Sequence, residues 1–180
     1  MTIDAPTADS LTDERLDDLV EWLEEAYPEE GCALILQDEE TGDYRVLRTE
    51  NLADKYHEMD PEQFPRTAEK FYVIDPLEFM KAEDRGERVA VVVHSHVDVG
   101  DYFSEEDVDA ATMPRDGADE PLEESHPGVD YLVVAVDEGE ANHATLFRFD
   151  PSQADGEHPF PALLEIDITG DTYELSEANS

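Results

Sequence analysis

The chain of 180 residues carries 49 acidic and only 11 basic side chains, which gives a formal net charge of −38. So acidic a surface has no basic stripe for phosphates, and this excludes nucleic-acid binding and attachment to anionic membranes. The length suits one ordinary domain. Leu, Val, Ile and Phe number 41, about 23% of the chain, above the level of roughly 20% below which high charge indicates disorder.

The acidic residues are spread along the whole chain rather than gathered in a tail. That distribution is typical of a surface adapted to molar salt, where a Debye length of ~3 Å screens self-repulsion, so we interpret the chain as halophilic. The single cysteine, Cys32, excludes an internal disulfide. We expect a cytoplasmic protein, because the sequence has neither a signal-peptide pattern nor an aliphatic run longer than Val89–Val93.

The first third of the chain predicts a helix followed by a hairpin. Residues 1–11 are expected to form a disordered lead-in. Apolar residues at helical spacing predict an amphipathic helix that begins at Thr12 and ends at Tyr27, before a proline. A short apolar run predicts a buried strand over residues 32–36, and alternation predicts its return partner over residues 44–48.

The middle of the chain predicts a central strand between two short helices. Residues 52–70 are expected to be irregular and to be followed by a brief strand over residues 71–74. A short helix is expected over residues 75–83. The Val-rich run of residues 88–96 predicts a strand that is buried on both faces. A second short helix is expected over residues 104–112.

The last third predicts a flap and a second hairpin. Residues 113–128 are rich in proline, glycine and acids and are predicted to form a mobile flap. Residues 129–136 and 144–149 are predicted to pair as an antiparallel hairpin, and residues 163–168 to add an edge strand. This order of elements indicates one α+β domain of the α/β/α type, with a mixed sheet flanked by helices.

Two histidines, His94 and His96, are two positions apart in the predicted central strand. Side chains with period two point to the same face of a strand, so the pair is a candidate metal platform. A solvated pair at the end of the strand is the alternative. The spacing Ser104-x-x-Asp107 predicts a helix start whose first turn folds the Asp107 carboxylate back towards the imidazoles.

Two histidines and one aspartate leave a tetrahedral zinc ion one open position, which is typical of catalytic rather than structural zinc sites. Water at that position would become a usable nucleophile. Hydrolysis also needs a proton shuttle. Glu29 or Glu30, between the first helix and the first strand, could provide it, and position alone does not choose between them.

These residues resemble a known family. His94-Ser95-His96, seven residues, Ser104, two residues and Asp107 match the zinc motif of the JAMM (MPN+) metallopeptidases. The segment Pro28–Leu34 resembles the family's Pro-x-Glu-x-Cys-Gly-Leu, with alanine in place of glycine. The resemblance covers residues 12–149 and implies an MPN-like domain, with residues 150–180 as a partly ordered extension. It also implies hydrolysis of peptide or isopeptide bonds.

The resemblance implies a role for each matching residue. It makes His94, His96 and Asp107 the ligands of Zn²⁺. Glu30, rather than Glu29, then corresponds to the general acid/base. Ser104 corresponds to the hydroxyl that hydrogen-bonds the oxyanion, a role that competes with helix capping for the same oxygen. The serine between the two histidines is no ligand, because a strand points it to the opposite face.

The residue after the second histidine is Val97, where many family members have proline. The loop of residues 97–103 instead resembles a prokaryotic subgroup that includes sulfur-carrier-processing peptidases. The implied partner is therefore a ubiquitin-like or sulfur-carrier protein with a C-terminal Gly-Gly, whose tail the predicted flap would hold. A noncatalytic MPN-type binding module and a small-substrate metal hydrolase are the alternatives. The remaining histidines, His57, His126, His143 and His158, are expected to be surface residues, with His126 in the predicted flap as the first candidate for an exception.

Overall fold

The computed structural model describes residues 9–113, 122–153 and 158–178. Its helices are α1 (Asp13–Ala26), α2 (Ala53–Met59), α3 (Leu77–Asp84) and α4 (Glu105–Ala111), with a 3-10 turn at Pro151–Gln153. Its strands are β1 (Cys32–Asp38), β2 (Tyr44–Thr49), β3 (Glu87–Val97), β4 (Thr112–Met113), β5 (Glu123–Glu124), β6 (Asp130–Asp137), β7 (Glu140–Phe147), β8 (Ala162–Thr169) and β9 (Thr172–Glu177). None of the helices in these ranges combines the length and apolarity that a bilayer crossing requires.

Strands of the described residues form one large mixed sheet in the order β2-β1-β3-β6-β7-β8-β9. Neighbours in this sheet pair antiparallel except β3 and β6, which run parallel. A parallel pair needs a crossover connection, and here the crossover contains α4 and the small β4–β5 ribbon. The predicted α+β class, with a mixed sheet flanked by helices, is confirmed.

The sheet buries apolar side chains on both faces. On one face α1 packs Leu16, Leu19 and Leu23 against the sheet. On the other face the apolar core includes residues of α3 and α4. The centre of β3 is buried throughout, as its Val-rich sequence predicts, because helices cover it on both sides. The end of this strand carries the histidine pair.

Several elements differ from the sequence-based expectations. Residues 53–59, expected to be irregular, form α2, whose only buried residue is Ala53, so the helix has no apolar stripe to reveal it. Residues 71–74 form no strand, because the backbone of Val73 bonds to Leu52 and to the side chain of Asn51. Strand β8 is not at the sheet edge, because β9 pairs with its outer side.

Both expected irregular segments lie partly outside the described residues. Of the predicted lead-in, residues 1–8 lie outside, but Ser10 and Leu11 are buried and Leu11 belongs to the apolar core under α1. Ordered structure therefore begins before residue 12. Of the predicted flap, residues 114–121 lie outside, and the flanking residues pair as β4 and β5.

A substitution at Leu11 tests its place in the core. We expect Leu11→Ala to lower the free energy of unfolding by about 2–5 kcal/mol, since it removes a buried side chain and leaves a cavity. Leu77 is 52% exposed, so the matched Leu77→Ala change should stay within about 0.5 kcal/mol. Denaturant titration in about 2 M salt measures both. If both substitutions change the free energy of unfolding by the same small amount, Leu11 is not part of the core and belongs to a disordered lead-in.

Candidate metal centre

Two imidazoles lie side by side near the C-terminal end of β3. His94 is 0% and His96 4% exposed, and their ring centroids are 4.9 Å apart. Both side chains lie on the same face of the strand because the two residues are two positions apart in the sequence. The ring nitrogen Nδ1 of His96 is 3.0 Å from the carbonyl oxygen of Gly100. A proton on Nδ1 donates to that oxygen and leaves Nε2 free as a ligand atom.

The first turn of α4 brings a carboxylate to the same place. The Ser104 hydroxyl accepts from the Asp107 backbone N–H at 3.1 Å, and Asp107 Oδ2 accepts from the Ser104 N–H at 2.9 Å. This reciprocal capping box holds Asp107, which is 3% exposed, at the helix start. Its Oδ1 lies 3.2 Å from His94 Nε2, and its Oδ2 lies 3.3 Å from His96 Nε2.

The donor set fits a metal ion. One ligand atom from each of His94, His96 and Asp107 lies within 4.8 Å of the others, and all three residues are buried. Neither ring nitrogen of His94 has a hydrogen-bond partner among the described residues, although Nε2 is close to Asp107. A buried polar atom without a partner is costly, and a bound cation would satisfy Nε2. Two imidazoles and a carboxylate suit divalent transition metals, zinc among them.

The charges of the site keep the carboxylate ionised. Burial alone would raise the pKa of Asp107, but the charge of His94 and the contacts with His96 and the Ser104 N–H hold it well below its usual range. Burial also lowers the pKa of His96, yet its contact with Asp107 outweighs this, so the pKa is raised overall. The Asp107 carboxylate therefore accepts a cation without first losing a proton, whereas His96 must give up any proton on Nε2 before it can act as a ligand.

Glu30 lies between α1 and β1. Its burial distinguishes it from the adjacent Glu29. Glu30 is 7% exposed and so counts as buried, whereas Glu29 is exposed. Burial raises the pKa of Glu30, and the charges of His94 and His96 oppose that rise. The pKa of the Glu30 carboxyl group is therefore coupled to the charges of the histidine pair. A raised pKa brings a carboxyl group nearer to neutrality, which suits proton transfer.

Both serines of the motif are engaged in hydrogen bonds. The Ser104 hydroxyl donates to Asp107 Oδ2 at 2.8 Å besides accepting from its N–H, so the capping contact occupies this oxygen. Ser95 lies outside the ligand cluster: its buried hydroxyl accepts from the Gly31 N–H at 2.8 Å. This bond joins β3 to the residue that follows Glu30.

Aromatic rings line the site, and no local pattern in the sequence predicts them. Tyr72 stacks on His94, with centroids 4.2 Å apart and planes 17° from parallel. Burial raises the pKa of the Tyr72 hydroxyl well above its usual value. Tyr102 contacts His96 edge-on with centroids 5.0 Å apart. Since Tyr72 comes from a segment that had been expected to be a strand, only the tertiary structure reveals the stack.

The loop between β3 and α4 is tied to the sheet. Asp101 accepts hydrogen bonds from the His143 ring and from the Thr145 hydroxyl, both on β7. Because Gly100 precedes Asp101, these bonds also fix the carbonyl that contacts His96. His143, expected to be a plain surface residue, is thus a structural contact of this loop.

The other histidines lie outside the ligand cluster. The rings of His57 and His158 contact the carbonyl oxygens of Phe64 and Phe103, each at 2.7 Å. His126 is exposed and stacks on Phe79 with ring centroids 4.2 Å apart, and partial burial of its ring lowers its pKa.

Comparison with known proteins finds a family and two distant structures. The model of the family described as prokaryotic homologs of the JAB domain matches residues 12–149. A solution structure from Salinibacter ruber (strain DSM 13855) is 22% identical, with a TM-score of 0.45 over 81% of this chain and 84% of that chain. One from Desulfitobacterium hafniense is 17% identical, with a TM-score of 0.43 over 92% of this chain and 88% of that chain. No curated protein matches.

Metal analysis tests the cluster directly. We expect about one equivalent of divalent metal per chain after dialysis, because the described residues contain one cluster of three buried ligand atoms. His94→Ala should abolish this binding, since it removes a buried ligand. His126→Ala is the control, because the His126 ring also stacks on an aromatic side chain but is exposed and lies outside the cluster. Full metal retention in a His94→Ala, His96→Ala double variant would contradict the assignment.

Proposed function

The chain belongs to the prokaryotic homologs of the JAB domain, and on that basis we propose that it is a zinc-dependent metallopeptidase. It would hydrolyse the peptide or isopeptide bond that follows the C-terminal Gly-Gly of a ubiquitin-like or sulfur-carrier protein. One observation supports this proposal above others. The buried His94, His96 and Asp107 bring their ligand atoms within 4.8 Å of one another, and the charges of both histidines act on the pKa of Glu30.

In the proposed reaction His94, His96 and Asp107 hold the zinc ion. When bound, zinc lowers the pKa of a water molecule and polarises the scissile carbonyl. The Glu30 carboxylate accepts a proton from that water and passes it to the leaving amine. Its buried position, which raises the pKa, favours both halves of this exchange.

The second proposed role belongs to the Ser104 hydroxyl. To donate to the oxyanion that develops on the scissile carbonyl, it must turn away from Asp107 Oδ2. The carboxylate does not lose its position when this happens, because Oδ2 still accepts from the Ser104 backbone N–H. Helix capping and oxyanion stabilisation can therefore alternate on one side chain.

The rim of the site supports a protein substrate. On this acidic chain, Val99 is 58% and Tyr102 54% exposed, and both lie on the loop that carries Gly100. Large apolar side chains exposed next to a site favour contact with a macromolecular partner. A flexible tail that ends in glycines approaches a buried metal closely, because no Cβ stands in the way.

Paired glutamate substitutions separate chemistry from metal binding. We expect Glu30→Gln to lower cleavage of a ubiquitin-like fusion at least ~10²-fold, because the amide cannot accept the proton. Zinc content should stay unchanged, since Glu30 is not a ligand. Glu29→Gln changes the same atoms on the neighbouring, exposed residue and should be nearly silent. The reverse pattern would show that Glu29 is the acid/base.

A change in the substrate tail tests specificity. We expect a fusion with Gly-Gly before the scissile bond to be cleaved and an Ala-Ala fusion to be cleaved far more slowly, for the steric reason given above. The measurement is the initial rate of cleavage by the zinc-loaded protein. A simple amide of a small amine serves as the second substrate. Equal rates on both fusions, or a preference for the small amide, would favour the small-substrate hydrolase.

Salt dependence tests the halophilic interpretation. Activity on the Gly-Gly fusion should rise between ~0.1 and ~3 M salt, because screening reduces self-repulsion of a highly acidic protein. The charge is −38 at neutral pH. Maximum activity in dilute buffer would reject the halophilic interpretation without affecting the zinc chemistry.

A further inference from the structure

Asn51 lies just after β2 and is partly buried, and its carboxamide makes four hydrogen bonds. Its Nδ2 donates to the carbonyl oxygens of Glu30 at 2.8 Å and Phe71 at 2.9 Å. Its Oδ1 accepts from the backbone N–H groups of Ala53 and Val73, each at 3.0 Å. A primary amide offers two N–H donors and two lone pairs. The whole hydrogen-bonding capacity of this side chain is therefore used on the main chain.

One of these bonds, together with a backbone hydrogen bond, fixes the main chain of the residue proposed as the acid/base. The Asn51 amide holds the Glu30 carbonyl, and the Glu30 N–H donates to the carbonyl of Ala68 at 2.7 Å. The main chain on both sides of the Glu30 Cα is thus held in place. The direction from which its carboxylate approaches the histidine pair depends on these two bonds.

Two further Asn51 bonds hold the main chain on either side of Tyr72, and the Tyr72 ring in turn contacts His94. Asn51 bonds to the carbonyl of Phe71 and to the N–H of Val73, the two neighbours of Tyr72. The Tyr72 ring stacks on His94 at 4.2 Å. A metal-binding histidine is commonly oriented by a hydrogen bond on its second nitrogen, as His96 is by Gly100.

His94 is different. Its Nδ1 has no hydrogen-bond partner among the described residues. The orientation of this ring therefore depends on packing, and the stacked Tyr72 is the aromatic surface that it packs on. A side chain that holds Tyr72 in place therefore helps to orient the His94 ring, as the contact with the Gly100 carbonyl orients the His96 ring.

We propose that Asn51 is a positioning residue of this site, which sets both the Glu30 main chain and the ring of His94. The inference rests on the proposed function for its effect on cleavage, and on the structure alone for its effect on the metal ligand. One NH₂ group donates to the carbonyl oxygens of both Glu30 and Phe71. It therefore fixes the distance between the segment that carries Glu30 and the segment that carries Tyr72. A misplacement of about 1 Å between reacting groups costs ~10²-fold in rate.

The test compares two variants of Asn51 with one matched control. Asn51→Asp keeps the shape and the acceptor oxygen but replaces the NH₂ donors by an oxygen that faces two carbonyls. Asn51→Ala removes all four bonds. Asn142→Ala is the control, because Asn142 is a β7 residue whose amide bonds to the exposed Asp137 side chain. A fourth variant, Tyr72→Leu, removes the stack on His94 and leaves the Asn51 bonds to Glu30.

Cobalt(II) is the metal probe, because its visible absorption reports ligand geometry and competition with a chelator gives its affinity. Both Asn51 variants should bind Co²⁺ about 10-fold more weakly with an altered spectrum, and Tyr72→Leu should reproduce that loss. In the cleavage assay Asn51→Asp should lower kcat at least ~10-fold and leave KM within about twofold. Tyr72→Leu should retain more of kcat than Asn51→Asp does, and Asn142→Ala should match the unchanged chain.

Three results would overturn the inference. Unchanged Co²⁺ affinity and spectrum in both Asn51 variants would show that the site does not depend on this side chain. Equal effects of Asn51→Ala and Asn142→Ala would mean that the loss is nonspecific. Unfolding of both Asn51 variants, seen by circular dichroism, would make Asn51 a residue of the fold instead. If the unchanged protein cleaves no substrate, the proposed function fails, while the Co²⁺ measurements still decide the orientation of His94.

Discussion

An ionised carboxylate, that of Asp107, is buried at the end of the central strand, and the site is organised around this constraint. Removing such a group from water costs several kcal/mol unless nearby groups compensate. Here two imidazoles and the capping bonds of Ser104 provide that compensation. A bound cation would add the remaining charge that a lone carboxylate in this position requires. The folding of α4 and the capacity to bind metal thus depend on the same side chain.

The sequence predicted the parts of this arrangement whose partners are close in the chain. A separation of two residues in a strand places His94 and His96 on one face, and a separation of three residues at a helix start joins Ser104 to Asp107. Helix α1 and the β6–β7 hairpin were predictable because their apolar residues repeat with a clear period. Each of these patterns is local, and local patterns survive in a single sequence.

Other features depend on contacts between distant segments. Asn51 is 21 residues from Glu30 and 22 from Val73 along the chain, and no spacing rule connects them. The stack of Tyr72 on His94 likewise joins residues that are far apart in the chain and that no spacing rule connects. Strand β9 is a different case: Tyr173 and Leu175 alternate with polar residues and pack against the α1-side core, so the alternation was available but short.

The double-sided burial of β3 has a consequence for how this strand finds its register. Val91 and Val93 pack on one face and Val92 on the other, so a slip of one residue relative to β1 would keep the valines among apolar neighbours. The same slip would move both imidazoles to the wrong side of the sheet. Ser95 opposes it, because its hydroxyl and its N–H both pair with the backbone of Gly31. The serine between the histidines thus distinguishes the correct alignment from one that hydrophobic burial alone would tolerate.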